Sequence, residues 1–259
     1  MKRRIIIIAV FTLSAFGLIG SAKYLYLVSI KAQQSNVPPP WSLDWYVQKA
    51  QSQNSSTISF NAGTIEYVQP ETWDEAVNQS SILRVRLMEA KSYPSVVDNG
   101  QQQIENGIMT WYKFKVLEQW SQKPPCDGCL TDLTPPSDML PLNYDEILIP
   151  KEGGTLQRNG ITLTSIENDF VDFFQSPYYQ DFVILVQLNP DTKIATFWMG
   201  QNSVITVFNN EQEAATYDFW LAQTDPQPRS PYSNELRTRY GATQYGFSYP
   251  NFRASLYPQ

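Results

Sequence analysis

Asp181-Phe182-Val183-Ile184-Leu185-Val186-Gln187-Leu188 is the most continuously apolar run of the chain outside its N-terminus. It is too short for a typical helix and is built from β-branched and aromatic residues. Such a run predicts a strand buried on both faces, at the centre of a sheet or in the wall of a barrel. The segments that could cover it lie between Ile82 and Phe208.

The first of these read as a long, two-sided hairpin. Ile82–Met88 places Leu83, Val85 and Leu87 on one face and Arg84 and Arg86 on the other. Ile108–Trp120 alternates Tyr112, Phe114 and Val116 against Trp111, Lys113 and Lys115. Asn99-Gly100 and Asn106-Gly107 bracket a polar loop between them. Glu146–Ile149 is a short strand stopped by Pro150. Thr155–Arg158 and Ile161–Ser165 flank Asn159-Gly160, a strong hairpin signal. Beyond the central run, Ile194–Met199 and Val204–Phe208 complete an antiparallel meander. The fold class is therefore mainly β, an antiparallel barrel or sandwich.

Short helices are expected at its periphery. Ser42 caps one with Leu43, Tyr46, Val47 and Ala50 on a single face. Thr72 and Glu75 have capping-box spacing for a second, ending near Gln79. Asn210 and Glu213 begin a third, with Ala214, Tyr217 and Leu221 along one side. Ile58–Phe60 and Thr64–Val68 form a small hairpin turning at Asn61-Ala62-Gly63. Ser233 caps a last short helix, stopped by Gly241.

The ends of the chain differ from its body. Lys2-Arg3-Arg4 precede the uncharged run Ile5–Gly20, and Gly20-Ser21-Ala22 offers the small residues a signal peptidase requires. The alternative is an uncleaved anchor, since Tyr24–Ile30 is again apolar and Lys23 can snorkel to an interface. In either form residues 1–30 direct export, with the basic end cytoplasmic and the body extracytoplasmic, membrane-anchored or secreted. Residues 31–69 read as a tether, stiffened by Pro38-Pro39-Pro40, with the short helix and small hairpin. The β domain spans 70–225. Residues 226–259 form a Pro/Tyr/Arg-rich tail that carries four arginines against one carboxylate, Glu235, from Arg229 onward.

Composition excludes much chemistry. The chain of 259 residues has no histidine and a formal charge of −6. The commonest general base and zinc ligand is absent, and with it the usual Ser-His-Asp and Cys-His hydrolases. An acidic body disfavours nucleic acid as a partner. No phosphate loop or metal-ligand cluster is present, so neither cofactor nor metal is expected. The candidate chemistry is therefore narrow. Cys126-Asp127-Gly128-Cys129 reads first as a disulfide in an exported chain. A redox pair would need a helix N-terminus at the first cysteine, and the flanking prolines carry no such signal. A metal site would need ligands from carboxylates or another chain. Asp169, Asp172 and Asp181 lie around the aromatic segment before the central strand. They are either solvated loop acids or, for two of them facing one cleft, the carboxylates of a glycan hydrolase. Trp41, Trp45, Trp73, Trp111, Trp198 and Trp220 serve either as core filling or as sugar-stacking platforms.

Asp145-Glu146-Ile147-Leu148-Ile149-Pro150, then Gly153-Gly154-Thr155-Leu156 with Asn159-Gly160-Ile161-Thr162-Leu163, then Phe182–Leu188 and Ile194–Met199, follow an order that resembles a set of uncharacterised exported β-rich proteins of soil bacteria, the acidobacteria in particular. The resemblance covers about Glu71–Phe208 and implies a small closed barrel of OB or netrin-like type. The widely spaced cysteines of a netrin-like module are missing, and no activity comes with the likeness. The expected function is a non-catalytic binding or structural module of the cell envelope, with the basic tail contacting an envelope protein, an anionic polymer or its own acidic body. The alternative is the carboxylate-based glycan hydrolase. For the cysteines, mass spectrometry of unreduced protein from an oxidising compartment should show Cys126 and Cys129 bonded to each other. Two free thiols would reject that pairing.

Overall fold

The computed structural model describes residues 38–61, 70–98, 103–123, 134–165, 174, 179–197, 199–216 and 232–257. The fold is mainly β, with antiparallel sheets and short helices around them. The central run forms β7 (Tyr179–Leu188), and Phe182 through Val186 are fully buried. One face of β7 carries Phe182, Ile184, Val186 and Leu188, the other Val183 and Leu185, and each face enters a different core.

The first core is the inside of a barrel. β2 (Ser81–Asp98) pairs with β7 along one edge and with β3 (Gln103–Ser121) along the other. β3 pairs in turn with β4 (Glu146–Glu152). β8 (Ala195–Phe197) pairs with the end of β7, and Ile194 just before it bridges in parallel to Leu148 of β4. The circuit β2–β3–β4–β8–β7 therefore closes on itself. Leu83, Val85, Tyr112, Phe114, Ile147, Ile149, Ala195 and Phe197 point inward, as the alternation along each strand requires. Phe174 plugs the interior. Its ring lies 4.8 Å from Phe182, 5.2 Å from Phe114 and 5.3 Å from Tyr112, all edge-on.

The second core covers the outer face of β7. β9 (Val204–Phe208) and β10 (Glu213–Thr216) continue the sheet to β11 (Phe247–Ser248). Three helices pack over it. The second helix in the chain, α2 (Trp73–Gln79), lies with α3 (Tyr232–Tyr240) and α4 (Tyr249–Leu256), and together they bury Trp73, Tyr232, Leu236, Tyr249 and Phe252. Thr72 caps α2 through Glu75 N–H, 3.2 Å away. Glu235 of α3 accepts from Trp73 N–H at 3.1 Å, so one helix caps another.

The third unit is small. β5 (Gly154–Arg158), β6 (Ile161–Ser165) and β1 (Thr57–Phe60) form a sheet in the order β1–β6–β5, covered by α1 (Leu43–Ser52). Asn159 and Gly160, at φ 50° and 77°, make the expected tight hairpin turn. Gly154 crosses the β2–β3 ribbon so closely that a Cβ there would lie 2.2 Å from Thr110 Oγ1 and 2.6 Å from Ser92 Oγ.

Several expectations give way. β1 pairs in parallel with β6, and Thr64–Val68 lies outside the described residues. β2 and β3 run through the bracketed polar loop as far as Asp98 and from Gln103, and Asn106-Gly107 sits within β3, where Gly107 pairs with Ser95 and a register shift at Ser95/Val96 leaves Asn106 as the extra residue. β8 and β9 do not form a meander. Both lie on the same edge of β7, because the 3-10 turn Gly200–Ser203 carries the chain past β8 to the half of β7 still unpaired. Residues 213–216 form a strand instead of the helix read from Asn210 and Glu213. Asn210 Oδ1 accepts from Gln212 N–H at 2.9 Å and Glu211 adopts φ 53°, which turns β9 straight back into β10. The C-terminal stretch is part of the second core rather than a peripheral tail, as Tyr232, Leu236, Tyr240, Phe247, Tyr249 and Phe252 show.

Phe174 supplies a direct test of the barrel. Phe174→Ala should cost about 3–5 kcal/mol, the usual loss for a buried phenylalanine. Urea unfolding of both proteins would measure it, and a loss below about 1 kcal/mol would show that the interior is not closed by this ring.

Candidate binding site at the barrel mouth

The open end of the barrel holds a concave groove of about 210 Å³. Its floor is the last layer of the barrel core, Leu83, Ile147 and Leu188, all buried. Its rim is polar: Gln119 near the end of β3 and Gln122 just past it, Tyr144, Asp145 and Glu146 at the start of β4, and Pro190 and Lys193 in the turn after β7. An apolar floor with a few fixed polar groups is the usual make-up of a small-molecule site, and barrel mouths commonly hold one.

Local geometry fixes the rim. Asn189 Oδ1 accepts from Asp191 N–H at 3.0 Å and Thr192 N–H at 3.2 Å, shaping the turn. Lys193 takes φ 57°, and its ammonium donates to Asn143 C=O at 2.9 Å, tying this turn to the segment before β4. Glu146 accepts from Asn143 twice, from N–H at 2.9 Å and from Nδ2 at 2.7 Å. Led by that backbone N–H, these bonds hold the Glu146 carboxyl below the usual carboxylate range. Asp145 lies 3.4 Å from Lys115, and its carbonyl accepts from Val116 N–H at 2.7 Å. Gln119 and Gln122 bond each other at 3.0 Å. Tyr144 stands clear of all of these at 91% exposure.

The carboxylates of this groove lack the placement of a glycosidase pair. Asp145 and Glu146 are consecutive on one wall, while a glycosidase holds two carboxyl groups across the scissile bond. A general acid also needs a raised pKa, and Glu146 moves the other way. Among the described residues no group of three metal-ligating side chains comes together.

The sequence candidate Asp181 is engaged elsewhere. It is buried outside the barrel and accepts from Arg84 Nη2 at 2.5 Å and from Arg86 Nε at 2.8 Å. Arg84 continues to Glu211 at 2.6 Å and Glu118 at 3.1 Å. Burial works against its charge, but the bonds to Glu211 and Asp181 raise its pKa. Tyr249 faces the same guanidinium at 5.6 Å, and burial pushes its hydroxyl up to about 12. The adjoining cavity, about 40 Å³, is water-sized. Arg253 and Tyr257 of the C-terminal segment reach Glu118 Oε2 at 2.8 Å and 2.7 Å, and Arg239 pairs with Asp74. Three of the C-terminal side chains that could reach a partner thus bind the body itself.

Cys126, Cys129, Asp169, Asp172, Trp198 and Trp220 lie outside the described residues. Trp73 and Trp111 are core residues, and Trp41 is exposed. Sequence reading placed Asp145 and Glu146 at a strand start but gave no sign that they line a groove. The turn residues Asn189 and Lys193 and the two glutamines meet only when the barrel closes. No protein-family model, curated protein or solved structure matches the chain. No helix among the described residues is long and apolar enough to cross a membrane.

Glu118 makes the ion network testable. Burial raises its pKa, but hydrogen bonds from Tyr257, Arg253 and Arg84 outweigh that and lower it overall. A carboxylate held low in the folded state stabilises above its unfolded pKa, about 4.3, and loses that contribution as pH falls through its folded value. Glu118→Gln should therefore be less stable than the parent at pH 7, and the gap should close by pH 3. Urea midpoints at both pH values would check this, and an undiminished gap in acid would contradict it.

Proposed function

We propose that this protein is a non-catalytic, extracytoplasmic binding module of the cell envelope, and that the barrel mouth takes a hydroxyl-rich ligand of the carbohydrate class. The observation that carries the reading is the exposed Tyr144 ring beside paired amides and an apolar floor. An aromatic face with amide and carboxylate acceptors suits a sugar, which presents C–H faces and hydroxyl edges. Asp145 and Glu146 disfavour an anionic polymer at this position. Extracytoplasmic placement is supported by Lys2-Arg3-Arg4, Ile5–Gly20 and Gly20-Ser21-Ala22. A Cys126–Cys129 disulfide would fit the same compartment.

Calorimetric titration with soluble envelope glycan fragments tests the proposal. One fragment class should bind, and Tyr144→Ala should weaken it about tenfold, or ~1.4 kcal/mol, without changing stability. Equal affinity in both proteins, or no binding across the panel, would remove the site. Release of new reducing ends during the titration would overturn the non-catalytic reading.

A further inference from the structure

A second surface lies far along the chain from the barrel mouth. Trp41 is 65% exposed and sits at φ 66°, a conformation that bulky residues avoid. A turn closed by Ser42 N–H to Pro39 C=O at 3.1 Å holds it there. Its ring rests on Trp45 at 5.1 Å, and the Lys49 ammonium lies 5.2 Å from the Trp45 ring. The backbone is thus strained into a form that turns a large apolar ring outward, and such strain concentrates at functional positions.

The tip of the β2–β3 ribbon lies beside it. Pro39, Ser42 and Asp44 face Val96, Ile104 and Glu105 across a cleft of about 360 Å³. Val96 and Val97 are 50% and 47% exposed. Being consecutive in a strand, they point to opposite faces, and Val96 is the one that lines the cleft. Arg158 holds both nearby acids, Asp44 and Glu105, and fastens the ribbon to α1.

We propose that the Trp41–Val96 face rests on the lipid surface of the membrane that the N-terminal segment enters. This builds on the reading of residues 1–30 as an export segment, and adds that the segment stays attached. The span Lys31–Pro40 is ten residues. Fully extended it reaches at most about 35 Å. Trp41 is the first residue past this tether, so its distance from the bilayer is bounded by covalent geometry. Tryptophan favours the depth of lipid headgroups, and an exposed valine can enter just below it. Arg158 and Lys49 offset Asp44 and Glu105, so no excess of positive charge calls for an anionic lipid.

Tryptophan fluorescence tests the proposal directly, because residues 1–40 contain no tryptophan and the signal reports only the body. Full-length protein would be reconstituted into phosphatidylcholine vesicles brominated near the headgroup. The wild type should show a quenched component that Trp41→Ser removes, and Val96→Asp should reduce it. Flotation with undiminished quenching in Trp41→Ser, or with none in the wild type, overturns the surface contact and leaves the anchor standing. Failure to float overturns both. Protection of Trp41 that follows protein density at fixed lipid would identify a second copy of the chain as the occupant and reject the lipid.

Discussion

A strand that is apolar on both sides has to be covered on both sides, and β7 imposes that requirement on the whole molecule. A hydrogen-bonded sheet supplies partners along its edges but nothing above or below. The barrel meets the demand on one face by curling β2, β3, β4 and β8 round Phe182, Ile184 and Val186. The other face exposes Val183 and Leu185, with Ile205 and Val207 beside them, and α2 together with chain returning from the C-terminus covers it. At roughly 1.5–3 kcal/mol for each large apolar side chain fully buried, neither face is dispensable. The small residues at the far edge belong to the same solution. Ala214 and Gly246 let β10 and the approach to β11 come together, and a Cβ on Gly246 would meet Ala214 C=O at 2.1 Å.

The charged cluster on the outer side of the sheet follows from the same geometry. Alternation that sends Leu83 and Val85 into the barrel sends Arg84 and Arg86 outward, where the helical layer partly covers them. A buried guanidinium is costly unless its donors are occupied, and removing one partner from such a cluster typically costs 3–5 kcal/mol. Arg84 finds Asp181, Glu118 and Glu211, from three separate strands or turns. Each pair forms in only one strand register, since a one-residue slip would turn these charges into the barrel. The cluster thus selects an arrangement more than it adds stability. Glu118 also receives Arg253 and Tyr257, which links the C-terminal helix to the same check.

How much of this was legible in sequence depended on how local the cause was. The central strand, the inward and outward faces of β2 and β3, the Asn159-Gly160 turn and the caps at Ser42 and Thr72 are set by neighbours within a few residues, and all were readable. Residues 210–216 misled because capping spacing and Ala214, Tyr217 and Leu221 fit a helix, while the deciding contacts come from Gly246 and Phe247, over thirty positions away. The C-terminal residues read as a polar tail because Tyr and Arg are amphipathic. Their rings are buried and their charged ends paired, which composition alone cannot reveal. The groove at the barrel mouth draws on four separated stretches, and only closure between Leu148 and Ile194 makes them neighbours.

The ribbon of β2 and β3 runs from the barrel to the small sheet without a break. Tyr112 and Phe114 belong to the barrel core, while Ile108, a few residues earlier on the same strand, belongs to the cluster beneath α1. Gly154 clamps the crossing from the other side. Along the described strands of this ribbon no linker separates the two regions, and neither can melt without fraying strands that the other needs. The two cores should therefore be lost in a single cooperative event, and a load applied at α1 would pass along continuous hydrogen-bonded strands into the barrel wall.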